Sequence, residues 1–117
     1  MKTLNQQELK SIEQFFQLNQ LQLLKAMKHY LGTRYDKVIA TKDYVIAVGD
    51  IPVGLVAHLD TVFKHQPEDI YYDRVKNVMW SPDGLGADDR AGVYSIMQII
   101  KAGLKPTVIL TADEELG

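Results

Sequence analysis

The sequence predicts an α/β fold, a mixed and centrally parallel sheet flanked by helices. Three observations predict it. Two stretches with helical periodicity open the chain, several short apolar runs follow, and a third helical stretch precedes a last apolar run. Strands interleaved with helices in this way pack as a sheet with a helical layer rather than as a sandwich or a bundle. At 117 residues the chain has the length of one small domain. Residues 1–32 read as a helical lead-in and residues 33–117 as the α/β core.

The first helix is expected over residues 5–16, where Asn5 and Glu8 have the spacing of a capping box and Ile12, Phe15 and Phe16 fall on one stripe. A second is expected over 19–31, with Leu21, Leu24, Met27, Lys28 and Leu31 spaced by threes and fours and Gly32 as its stop. Both stripes are expected to pack on a core. Residues 37–41 and 44–48 flank Lys42-Asp43, a hairpin pattern. Residues 53–58 are more uniformly apolar, as in a strand buried on both faces. Residues 69–75 and 78–80 alternate and suggest another hairpin, and Ser81-Pro82-Asp83-Gly84 reads as a turn with proline at its second position. Residues 90–102 form a helical pattern with Val93, Ile96, Met97 and Ile100 on its apolar face, ended by Gly103, and 107–111 is a closing buried strand. There is no internal repeat, low-complexity tract or linker.

Composition narrows the function classes. A net charge of −2 gives no electrostatic case for nucleic acid or an anionic membrane. No apolar run approaches the ~18 residues of a membrane span, and the first eight residues lack the apolar core of a signal peptide. The expected location is cytoplasmic. With no cysteine, disulfides and thiolate metal sites are excluded. Any metal must be held by His, Asp and Glu.

Three acid-bearing motifs stand out. His58-Leu59-Asp60-Thr61-Val62 closes an apolar strand, and residues two apart on a strand point to one side. A carboxylate at that spacing can orient a metal-binding imidazole through its second nitrogen; the simpler reading is a hydrogen-bonded structural histidine. Gly86-Ala87-Asp88-Asp89-Arg90-Ala91-Gly92 opens a helix. Its acids read simply as capping groups, yet Asp88 stands at a corner from which a carboxylate can bridge two cations. Asp113-Glu114-Glu115 follows the last strand. It is either a solvated acidic loop or a metal ligand beside a general base. All three lie near strand ends or a helix start, where ligands gather in open α/β sheets. Nitrogen and oxygen donors suit Zn²⁺, Co²⁺ or Mn²⁺.

Together, and in this order, the motifs resemble the first three metal motifs of the co-catalytic zinc exopeptidases, a group that includes peptidase T, glutamate carboxypeptidases, aminoacylases and zinc aminopeptidases. Asp88 follows His58 by 30 positions and Glu115 follows Asp88 by 27. The resemblance runs from about Val53 to the end, and the segment from Gly86 to Gly92 is most similar to peptidase T and its near relatives.

The resemblance implies that His58 binds one metal with Asp60 orienting it, that Asp88 bridges two metals, and that Glu115 binds the second. Glu114 would be the general base, taking a proton from the attacking water and passing it to the leaving amine of a small peptide substrate. It also implies a cis peptide bond between Asp88 and Asp89. Two further ligands, an Asp or Glu and a His, are implied beyond Gly117. The chain is therefore expected to correspond to the amino-terminal half of a catalytic domain, to lack efficient catalysis alone, and to self-associate or depend on the remaining half. His29 and His65 are expected to be surface or packing residues, and Arg90 to pair with a nearby carboxylate. The competing function is a non-catalytic peptidase-like module that binds a peptide.

Overall fold

A computed structural model describes residues 5–61, 63 and 65–112. Helix α1 (Gln6–Gln17) opens with the expected box: Asn5 Oδ1 accepts the Glu8 N–H at 2.8 Å, and the Glu8 side chain accepts from the Asn5 backbone. Helix α2 (Gln20–Gly32) has a second box, in which Asn19 and Gln22 exchange the same bonds at 2.8 and 2.9 Å. Gly32 does not stop α2. It is the last helical residue, and Thr33 caps the helix in a right-handed conformation.

Strands β1 (Val38–Ala40) and β2 (Tyr44–Ala47) form the expected hairpin. Strand β3 (Gly54–His58) leads to β4 (Tyr71–Asp73) and β5 (Val78–Trp80), which pair with each other as a separate two-stranded sheet. The Gly84 N–H donates to the Ser81 carbonyl at 3.1 Å and closes the expected turn. Helix α3 (Ala87–Lys101) then crosses to β6 (Thr107–Thr111), with Gly103 at a φ of 100° after its end.

The main sheet has the order β1-β2-β6-β3. It is mixed, as expected, but not centrally parallel. The single parallel pair, β6 with β3, lies at one end, and the central pair, β2 with β6, is antiparallel. The β3–α3–β6 crossover makes β3 and β6 parallel, whereas the β1–β2 hairpin docks on the other side of β6 in the opposite sense.

Register places Val45, Leu110 and Ala57 in one row and Ala47, Val108 and Leu55 in the next. These rows join Phe15, Leu23, Met27, Leu31, Val93, Ile96 and Ile100 in one core under the helices. The opposite face carries Ile39, Ile46, Ile109 and Val56 in a single cross-sheet row. Ile46 and Ile109 are half-buried, but Ile39 is 44% and Val56 67% exposed. The segment 53–58 is thus not buried on both faces. Among the described residues, helices cover one face only, and β3 is an edge strand, as β1 is at the other end.

Two contacts tie the layers at the amino end of β6. The buried Tyr35 hydroxyl donates to the Pro106 carbonyl at 2.7 Å. Gly49 lies so close to the backbone of Lys105, Pro106 and Thr107 that a Cβ there would meet Thr107 N at 2.5 Å.

Candidate metal centre

The site forms where β3 and β6 end side by side. His58 and Thr111 are register partners, and the Leu59 N–H donates to the Thr111 carbonyl at 2.7 Å. The end of β6 is held from both flanks: the Ala112 N–H donates to the Asp43 carbonyl at 2.8 Å, and the Gln20 side chain donates to the Ala112 carbonyl at 2.7 Å. From the other side comes the start of α3. Gly86 precedes it with a φ of 70°, Asp88 and Asp89 keep non-helical dihedrals, and regular helix begins at Arg90. The Asp88–Asp89 peptide bond is cis, as the resemblance led one to expect.

His58 is gripped at both ring nitrogens. Nδ1 lies 2.8 Å from the Asp60 carbonyl oxygen and 3.5 Å from Asp60 Oδ1. Nε2 lies 3.1 Å from Asp88 Oδ1. His58 is half-buried, Asp60 is only 5% exposed and Asp88 is exposed. The expected contact was with the Asp60 carboxylate, but the Asp60 backbone carbonyl lies closer to the ring. Burial by itself lowers the His58 pKa. The hydrogen bonds to Asp60 and Asp88 and the charges of Asp60 and Asp89 outweigh it, so the net shift is upward.

This arrangement has a chemical consequence. The Asp60 carbonyl can only accept, so Nδ1 must carry a hydrogen. A neutral His58 would then turn the lone pair of Nε2 toward an Asp88 oxygen that is also an acceptor. The contact is attractive only with a proton or a cation between the two atoms. Two ligands ~2.0–2.2 Å from one ion at a tetrahedral angle stand ~3.4 Å apart, close to the 3.1 Å separation found. The pair fits a small divalent cation as two of its ligands.

Arg90 departs from expectation. It is 2% exposed, and rather than a carboxylate its Nε and Nη1 reach two carbonyl oxygens, of Leu59 at 2.9 Å and Leu18 at 2.7 Å. Burial lowers its pKa, and the charge of Asp60 opposes that. Arg90 thereby ties the loop after β3 to the carboxyl end of α1, a role that sequence reasoning missed because carbonyl acceptors carry no residue signature. His29 is exposed on α2, and His65 is exposed beside Phe63, Gln66 and Asp83. Asp113, Glu114 and Glu115 lie outside the described residues. Among the described residues, no three or more His, Asp or Glu side chains gather as a metal-binding group. Nor is any helix among them long and apolar enough to cross a membrane. Comparison with protein-family models, curated proteins and solved structures gave no match.

Proposed function

We propose that this chain serves a cytoplasmic, metal-dependent exopeptidase of the co-catalytic zinc type, acting on small peptides. The observation that carries the reading is the Nε2-to-Asp88 contact, 3.1 Å between two atoms that need a positive centre between them once Nδ1 is bound to Asp60. His58 and Asp88 would hold one Zn²⁺, Asp88 and Glu115 a second. Divalent cations at such a site polarise an amide carbonyl and make a water acidic enough to attack at neutral pH. Asp60 keeps the His58 ring in the tautomer that presents Nε2. Glu114 follows Thr111 by three residues, and Thr111 is the register partner of His58. That proximity in the chain supports Glu114 as the group that takes the proton from water and returns it to the leaving amine.

The test is hydrolysis of dipeptides and tripeptides with and without Zn²⁺, Co²⁺ or Mn²⁺ by this chain joined to a segment that supplies the further Asp or Glu and His ligands, comparing wild type with Glu114→Ala. The expected result is amino-acid release that needs metal and falls by ~10²–10⁴ without the base. Hydrolysis indifferent to both chelator and Glu114 would overturn the proposal. Metal bound with no hydrolysis favours the peptide-binding module instead.

A further inference from the structure

Pairing with β6 uses only half of the β3 backbone. The Val53 carbonyl accepts from Thr107 at 2.9 Å and the Leu59 N–H donates to Thr111 at 2.7 Å. Backbone groups alternate in direction along a strand, so the N–H groups of residues 54, 56 and 58 point away from β6, along the sheet edge. The one at His58 is met: Asp89 Oδ2 accepts it at 3.2 Å. A carboxylate in the first turn of a helix ordinarily serves that helix by compensating its dipole. Asp89 instead reaches out of α3 to a strand.

It can do so because of what lies beside it. Residue 92, on the same side of the first turn, is glycine. A Cβ at that position would stand 2.7 Å from Asp89 Cγ and 2.8 Å from Oδ2, the oxygen that holds the His58 N–H. Neighbouring residues thus grip one histidine at two points, Asp88 at the ring and Asp89 at the backbone. The backbone at His58 sets the direction of its Cα–Cβ bond, and with it the placement of Nε2 against Asp88.

We propose that Asp89 is a positioning residue for His58 and that Gly92 is the clearance it requires. Its purpose, holding a metal ligand in place, rests on the reading given above, while the clamp itself is measurable without metal. The experiment is amide hydrogen exchange by NMR on the metal-free 117-residue chain, for wild type, Asp89→Asn, Asp89→Ala, Gly92→Ala and the Asp89→Ala/Gly92→Ala double variant. The Leu59 N–H, bonded to Thr111, is the internal reference for global unfolding. Exchange at His58 is expected to rise at least ~10-fold in Asp89→Ala and in Gly92→Ala, with Leu59 unchanged, because each removes the acceptor. Asp89→Asn keeps an acceptor oxygen and is expected to stay near wild type. In the Asp89→Ala background the added methyl meets no carboxylate, so Gly92→Ala should add nothing. Unchanged exchange at His58 in Gly92→Ala, or the same increment from Gly92→Ala in both backgrounds, would overturn the proposal. Should Asp89→Ala fail to fold, Gly92→Ala against wild type decides alone. Zn²⁺ affinity measured on the same variants is expected to fall in parallel with the loss of protection. A chain that binds no Zn²⁺ counts against the metal reading, and the exchange pattern still decides the clamp.

Discussion

His58 is where a proton would compete with the proposed metal. Its pKa is raised in the folded chain, so the stability it contributes is fully present below its unfolded value, ~6.5, and is lost as pH rises through the folded value. Urea unfolding of the metal-free chain at pH 6 and pH 8 is expected to show lower stability at pH 8, and His58→Gln to remove that part of the difference. A metal must displace the same proton, so Zn²⁺ affinity is expected to weaken as pH falls below the folded value. Arg90 is the other residue whose chemistry is decided locally. With its charge buried on two carbonyls, Arg90→Met would leave the Leu59 and Leu18 oxygens without their donor, a cost of ~2–4 kcal/mol. Lysine would not rescue it, since a single ammonium does not reproduce the guanidinium fork. Denaturant midpoints of the two variants check this.

At the scale of elements, packing between backbone segments governs. Gly49→Ala would drive a methyl into the Lys105–Thr107 backbone, which cannot rotate away as a side chain can. It is expected to destabilise the chain by ~2–4 kcal/mol, more than Tyr35→Phe, which strands the Pro106 carbonyl for ~1–3 kcal/mol. Thermal unfolding of both variants tests the order. Much of this level was legible in the sequence. Asn5 with Glu8 marked the start of α1, Gly103 the end of α3, and the 107–111 run is β6 to the residue. The Asn19–Gln22 box has the same spacing and opens α2. Strand order was not legible, because pairing β2 against β6 sets Tyr44 opposite Thr111 and no local pattern encodes so distant a partner. Burial of β3 was not legible for a related reason: the apolar side chain of Val56 says that the residue can be buried, not that a layer lies over it. The proximity of His58, Asp60 and Asp88 was readable from strand and helix ends. The bond from His58 to Asp89 was not, because its donor is a backbone amide that every residue but proline possesses.

The whole molecule is a two-layer structure with helices on one side of its sheet among the described residues. The other side presents Ile39, Ile46, Ile109 and Val56 in register, an apolar row that water disfavours. Concentration-dependent self-association is therefore expected in sedimentation velocity, reduced by an Ile39→Lys/Val56→Lys variant at the two most exposed positions of the row. A wild-type chain that stays monomeric to high concentration would contradict this expectation. The face is separable from the proposed metal centre, and this variant is expected to bind metal as wild type does.

The central claim is that His58 and Asp88 share a divalent cation. Equilibrium titration of the 117-residue chain with Zn²⁺ at pH 7.5, in wild type, His58→Ala and Asp88→Ala, tests it most directly. The account predicts saturable binding in wild type, weakened at least ~10-fold in each variant. Binding of equal strength in all three, or none in wild type, would contradict it.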